Sequence, residues 1–185
     1  MKPILVRLLA FLSPLALNEA AIAQKSTSPL NFTPSNVKIA VAPYAAAEAD
    51  LKALTEMKTL SPKMFERFTR EFKTAYDIRV YNNKEERYIQ VNSKTDGDLN
   101  RTTFTRKGKF LHNIKHYDFS KLPGSIAENI NDAYPGYEIF GGVAEIKVMN
   151  KVAHLVLIEN KKSWKRVKVI DGDIEVYEEF DKSQD

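Results

Sequence analysis

The spacing of hydrophobic residues predicts two helices, each of which gives way to strands. Apolar residues recur at helical spacing over Leu122–Tyr134, and Pro123 suits the first turn because its missing N–H would have no partner there. Pro135-Gly136 ends this helix, since proline cannot continue the hydrogen-bond ladder. An earlier helix begins at Ser61-Pro62, with serine as the N-cap, and stops near Tyr76-Asp77. Its apolar face is formed by Phe65, Phe68, Phe72 and Ala75.

After each helix the hydrophobic period changes to two, the alternation of a half-buried strand. Four strands are predicted after the first helix, marked by Ile78/Val80, Ile89/Val91, Thr102/Phe104 and Phe110/Ile114. Turns between them fall at Asn82-Asn83, Asp96-Gly97-Asp98 and Lys107-Gly108-Lys109. Four further strands are predicted at Glu138–Met149, Lys151–Glu159, Ser163–Ile170 and Ile174–Phe180, with a tight hairpin turn at Asp171-Gly172.

The two halves of the chain carry matching segments. FKTAY at 72–76 aligns with INDAY at 130–134, and RKGKF at 106–110 aligns with IDGDI at 170–174. A period of about 60 residues is too long for a solenoid unit. We therefore predict an α+β fold of tandem duplicated helix-plus-four-strand repeats, repeat 1 at 61–119 and repeat 2 at 120–181. Together they form one curved antiparallel sheet with the helices on one face.

The first 60 residues are predicted to lie outside this domain. Residues 1–23 have a short basic start, an apolar run too short to span a bilayer and an Ala21-Ile22-Ala23 cleavage site, as in a signal peptide. The alternative is an uncleaved N-terminal anchor. Residues 24–60 are interpreted as a tether that contains a strand at Val37–Ala42 and a helix at Tyr44–Lys58. The chain is accordingly expected to be periplasmic or secreted.

Composition narrows the possible partners. The chain has no cysteine, so it forms neither disulfides nor thiolate metal sites. Its net charge of +4 is small and mixed along the sequence, which argues against a nucleic-acid partner. After signal cleavage no segment is apolar enough for stable membrane insertion.

Motifs for catalysis, metal or cofactor binding are missing from the sequence. His112 and His116 have the spacing of helical metal ligands, but on a strand they would lie roughly 13 Å apart. His154 stands alone in an apolar strand, and the two Asp-Gly-Asp runs read as hairpin turns. There is no G-x-S-x-G, H-E-x-x-H or phosphate-binding glycine loop. We expect a protein that is not an enzyme and has no cofactor.

The order of these features resembles a known family. A helix, a strand with Val80-Tyr81, a glycine turn, the Leu122-Pro123 helix, Tyr134–Tyr137 (YPGY) and the final Asp-Gly-Asp hairpin resemble the β-lactamase-inhibitor-like (BLIP-like), PepSY-like family of exported bacterial proteins. The resemblance covers about Pro62–Phe180 and implies the tandem helix-plus-four-strand fold. Unlike the secreted inhibitors, which carry disulfides, this chain has no cysteine.

Strand alternation predicts where a partner would bind. It assigns Ile78/Val80, Ile89/Val91, Val167/Val169 and Val176/Phe180 to the helix-covered face. Candidate partner-binding residues on the opposite face are Tyr81, Tyr88, Tyr117, Trp164, Arg166, Lys168 and Tyr177. Leu155–Ile158 is apolar on both faces, so part of the opposite face is expected to be covered, with Val37–Lys58 as the candidate cover.

These predictions favour a non-enzymatic binding module for another extracytoplasmic protein, as an inhibitor or modulator. Two alternatives are a binding protein for a small ligand or envelope component, held in a cavity between helices and sheet, and a hydrolase.

Overall fold

In this computed structural model, which describes residues 42–182, three α-helices and eight strands follow one another along the chain. The helices are α1 (Ala42–Leu60), α2 (Pro62–Glu71) and α3 (Gly124–Ala133), with a short 3₁₀ turn at Phe119–Lys121 before α3. The strands are β1 (Tyr76–Asn83), β2 (Tyr88–Thr95), β3 (Asp98–Thr105), β4 (Phe110–Asp118), β5 (Glu138–Val148), β6 (Lys151–Glu159), β7 (Ser163–Ile170) and β8 (Asp173–Asp181). The predicted α+β class is confirmed.

The eight strands form one antiparallel sheet in sequence order, each strand pairing with the next. The predicted duplication is present: α2 precedes β1–β4, and α3 precedes β5–β8. The two halves join where β4 pairs with β5, from Asn113–Lys147 to Asp118–Gly142. A helix followed by four antiparallel strands is therefore built twice into a single open sheet.

The helices cover one face of the sheet and enclose two separate apolar cores. The first cluster joins Met57 of α1 and Met64 and Phe68 of α2 to strand residues such as Ile89 and Phe104. The second cluster joins Ile130 of α3 to residues of β4–β7, namely Tyr117, Val143, Val156, Ile158, Val167 and Val169. Cross-strand pairing places the strand residues of both clusters on the same side of the sheet. The predicted helix-facing positions Ile78, Ile89, Val91, Val167 and Val169 are all buried there.

Helix α1 belongs to the folded unit rather than to a tether. Ala53 and Met57 are buried in the first cluster, so the structured region begins before the predicted boundary at Ser61. The carboxylate of Asp50 accepts hydrogen bonds from the backbone N–H groups of Asp77 (3.1 Å) and Ile78 (2.6 Å) on edge strand β1. The part of Val37–Lys58 within the described residues therefore packs on the helix side and does not cover the opposite face. The predicted strand at Val37–Ala42 lies outside the described residues, except Ala42, which begins α1.

Local signals explain most element ends. The Ser61 side chain accepts from Met64 N at 3.4 Å. Helix α2 ends at Glu71, with Phe72 as its C-cap, several residues before the predicted end. Pro123 occupies the N-cap of α3, one position earlier than a first helical residue. The turn predicted at Asn82-Asn83 is displaced, because β1 continues to Asn83, whose side chain accepts from Glu86 N at 2.9 Å.

The two Asp-Gly hairpin turns are confirmed. Asp96 and Gly97 both have positive φ (53° and 85°), as do Asp171 and Gly172 (52° and 90°). Two successive residues in this region match the twist of the flanking strands, and Asp-Gly supplies them at low steric cost. These turns fix the register of β2 with β3 and of β7 with β8.

Candidate binding surface

The sheet face opposite the two clusters is covered by no helix within residues 42–182, and we call it the open face. Its composition follows from the pairing: Tyr81 lies opposite Gln90, Arg101 opposite Asn92 and Ile114, and Arg166 opposite Leu157. Leu155 and Leu157 of β6 point to this face and are half-buried, while Val156 and Ile158 lie in the second cluster. The segment that is apolar on both faces therefore puts aliphatic surface on the open face.

Five of the seven predicted partner-binding residues share the open face. Tyr81 is 48 % exposed and Tyr88 is half-buried on the first repeat. Trp164, Arg166 and Lys168 alternate along β7 opposite the buried Val167 and Val169. Trp164 stacks on Phe180 of β8, with ring centroids 4.1 Å apart. The resulting surface is aromatic at both ends of the sheet and aliphatic near β6.

Tyr117 corrects the predicted set. It is only 7 % exposed, belongs to the second cluster, and its hydroxyl lies 3.1 Å from Nδ1 of His154 on the helix-covered face. Burial raises the pKa of Tyr117 to about 12, with smaller contributions from Glu145 and Asp98. Tyr117 faces the helices, whereas the residues before and after it on β4 face the open side. The predicted alternation along β4 was therefore shifted by one residue.

A bulge in β8 corrects a second assignment. Arg166 pairs with Glu178 and Val167 with Val176, so Tyr177 is the extra residue. Beyond this bulge the alternation is inverted, and Phe180 stacks with Trp164 instead of facing the helices. Tyr177 itself is half-buried within the bulge.

Charge on the open face differs between the repeats. In the second repeat Arg166 pairs with Glu178 at 2.7 Å and Lys168 with Glu175 at 2.6 Å, so the cations of β7 are neutralised by β8. Lys168 is buried, whereas its partner Glu175 is well exposed. These pairs tie β7 to β8 while leaving the carboxylates toward solvent.

The first repeat carries an excess of positive charge on the same face. Asp77 is shared by Arg79 (3.2 Å) and Lys94 (3.0 Å), and the two ion pairs lower the pKa of its carboxyl group, Lys94 contributing most. Arg101 makes no ion pair within the described residues, and its Nε is buried without a hydrogen-bond partner. Sequence reasoning missed Arg101. Alternation with Phe104 would place it on the open face, but no sequence pattern reveals that its neighbours leave it unpaired.

A small concavity lies on the helix-covered side, between α3 and β6–β7. Its volume is about 310 Å³, with Ile126, Val152 and Val169 as apolar lining and Asn129 and His154 among the polar groups. Burial lowers the pKa of His154, opposed by the nearby charge of Glu145. The described residues contain no cluster of three or more acidic or histidine side chains arranged to hold a metal ion.

Comparison with known proteins shows which solved structures have a similar fold. No protein-family model and no curated protein matches the chain. The chain is similar to a solved BLIP-like protein from Bacteroides fragilis, with a TM-score of 0.50 and 14 % identity over 65 % of this chain and 84 % of that chain. Two DUF2874 family proteins match at a TM-score of 0.48, one from Bacteroides uniformis (10 % identity; 64 % and 87 % covered) and one from Bacteroides ovatus (9 %; 64 % and 85 %).

The first of these similarities confirms the predicted BLIP-like architecture, and at such low identity it concerns the fold alone. The PepSY-like part of the family resemblance has no counterpart among these proteins and stays a prediction. None of the helices in residues 42–182 combines the length and the hydropathy needed to cross a membrane.

Proposed function

We propose that this chain is an exported, non-enzymatic binding module that holds another extracytoplasmic protein on its open face and thereby inhibits or modulates it. The observation that carries the proposal is a broad sheet face without a helix over it, furnished with Tyr81, Trp164 and Arg166 beside half-buried leucines. Aromatic and arginine side chains contribute most of the binding energy in protein interfaces. An uncovered surface of this composition is typical of a site that binds another protein rather than one that stays exposed to water.

The sequence supports the remaining parts of the proposal. The signal-like residues 1–23, which lie outside the described residues, favour a periplasmic or secreted location. The lack of a recognisable nucleophile, metal-ligand or phosphate-binding motif favours binding over catalysis. N-terminal sequencing of the exported protein should begin at Gln24 or its cyclised form, and an intact Met1 in soluble cytosol would reject the location.

The test compares variants in co-purification from a periplasmic extract. Tyr81→Ala and Trp164→Ala should weaken partner recovery, whereas Leu51→Ala should not, because Leu51 is an exposed apolar residue of α1. Thermal unfolding of each variant separates loss of binding from loss of fold. Equal recovery with all three variants would mean that the partner binds elsewhere.

A second candidate is a small-ligand protein that uses the concavity between α3 and β6–β7. Apolar lining beside the His154 imidazole is the arrangement that orients a small amphipathic molecule. Native mass spectrometry of the purified chain should then show retained mass that is lost in Asn129→Trp, which fills the concavity. If no mass is retained by the wild-type chain, this candidate falls and the protein-binding proposal stands unchanged.

A further inference from the structure

Arg101 is the one cation on the open face of β1–β4 that has no carboxylate. These strands contain three carboxylates, and each is engaged elsewhere. Asp77 contacts Arg79 and Lys94, and Asp98 contacts Lys115 at 3.0 Å and also pairs with Lys121. Asp118 accepts from Ser120 N at 2.9 Å at the start of the 3₁₀ turn. Strands β1–β4 therefore offer Arg101 no carboxylate that is not already engaged.

The polar neighbours of Arg101 on the open face bond to one another. Gln90 donates from Nε2 to Oδ1 of Asn92 at 2.9 Å, and the Thr103 hydroxyl lies 3.0 Å from Nε2 of His112. Ile114, across the strand from Arg101, has no polar group to offer. Nε of Arg101 is left buried with its hydrogen-bond donor unused. Leaving a charged donor without water or a partner is costly, so this arrangement of Arg101 does not stabilise the fold.

On the basis of the proposed function, we infer that Arg101 anchors a carboxylate of the partner protein, so that the open face of the first repeat binds an acidic segment. Arginine presents its donors as a rigid fork that matches a carboxylate with two parallel hydrogen bonds. Because Nε is buried, the two terminal nitrogens of Arg101 are the donors that a partner's carboxylate reaches. Arg79 and Lys94 share a single carboxylate, so the surrounding charge also favours an acidic ligand. The ion-paired second repeat contributes the aromatic and aliphatic contacts.

The experiment uses a displayed library of random 12-residue peptides selected on the full exported chain. Peptides selected on the wild type should be enriched in Asp and Glu, and binding of the best one should weaken at least about tenfold in Arg101→Gln, since truncating one partner of a buried charge pair costs that or more. Arg70→Gln is the matched control, because Arg70 is an exposed arginine of α2 on the covered side. Its affinity should equal that of the wild type.

A stability measurement separates an anchor from a structural residue. Arg101→Met removes a cation with an unused donor, so the melting temperature should stay the same or rise. A fall of several degrees would show that Arg101 holds the fold together and would overturn the inference. Heparin that binds as tightly as the best acidic peptide, and through Arg101, would overturn it too, since the site would then be one for anionic polymers.

The outcomes also distinguish this inference from the proposed function on which it rests. If selected peptides lose affinity in Tyr81→Ala but not in Arg101→Gln, the open face remains the binding surface and the carboxylate anchor is rejected. If neither change affects any selected peptide, both the anchor and the open-face proposal are rejected. Enrichment of lysine and arginine in the selected peptides would reject the acidic segment alone.

Discussion

The rings of Phe68 and Phe72 are in tilted contact at the end of α2, with centroids 5.1 Å apart, but they are buried to different extents. Phe68 is 1 % exposed within the first cluster, whereas Phe72 is half-buried at its border. Phe68→Ala should therefore lower the free energy of unfolding by about 3–5 kcal/mol, and Phe72→Ala by clearly less. Urea unfolding of both variants measures the difference. An equal or larger loss for Phe72 would mean that the buried face of α2 is rotated from the one described.

Asp98 is a buried carboxylate, 6 % exposed, which links repeat 1 to Lys121 beyond the end of β4. Burial raises its pKa, but the ion pairs with Lys121 and Lys115 outweigh burial and hold the pKa below the ordinary 3.8. A carboxyl group with a depressed pKa in the folded state stabilises the fold above the unfolded-state pKa. That stabilisation is lost as the pH falls through the folded-state value.

Asp98→Asn should accordingly destabilise the chain at pH 7 by about 1.5–3 kcal/mol, the range for hydrogen bonds to charged groups. The difference from the wild type should shrink as the pH falls below about 4, where Asp98 of the unfolded state takes up a proton, and should be lost as the pH falls through the lower folded-state pKa. Asp96→Asn is the matched control, because only the backbone carbonyl of Asp96 contacts Lys121. A difference that stays constant between pH 7 and pH 3 would contradict the ion-pair explanation.

At the scale of elements, helix α1 protects the β1 edge of the sheet. Asp50 of α1 takes up the backbone N–H groups of Asp77 and Ile78 on β1, so this edge cannot pair freely with another strand. Asp50→Ala should free both groups and loosen α1. We expect a loss of about 1.5–3 kcal/mol in unfolding free energy and concentration-dependent association in light scattering. Glu56→Ala, an exposed change on the same helix, should neither lower the unfolding free energy nor cause association. If the two variants behave alike, Asp50 does not protect the β1 edge.

Elements that depend on local signals were predictable, and elements that depend on tertiary contacts were not. Ser61, the Asp-Gly turns and strand alternation are local, and they gave both repeats and all eight strands. The packing of α1 depends on the contacts of Ala53 and Met57 with the first cluster. No local sequence signal predicts these contacts. The β8 bulge at Tyr177 has no sequence signal either, and it alone reversed the assigned face of Phe180.

The same limit applies to the binding surface. Period two assigned Trp164, Arg166 and Lys168 to the open face correctly, because β6 and β7 pair without a shift. Arg101 stands out only after the hydrogen bonds of Gln90 and Thr103 are known. A site defined by what its neighbours leave unsatisfied cannot be predicted from one sequence.

At the scale of the whole molecule, the two cores are separate but the repeats that form them are connected. Tyr117 lies on β4, in the first repeat by sequence, but packs in the second cluster. The β4–β5 ladder and the Asp98–Lys121 ion pair also connect the repeats. We therefore expect the two repeats to unfold together, although each has its own core.

Trp164 makes this testable because it is the only tryptophan and lies in the second repeat, far along the chain from Phe68. Phe68→Ala weakens the first core, yet if unfolding is cooperative the midpoint followed by Trp164 fluorescence should fall as much as the midpoint followed by far-UV circular dichroism. Val156→Ala, which weakens the second core directly, should shift both signals together as well. If Phe68→Ala instead lowers the circular-dichroism midpoint while fluorescence stays at the wild-type value, the first repeat melts alone. In that case the β4–β5 ladder and the packing of Tyr117 do not couple the two cores.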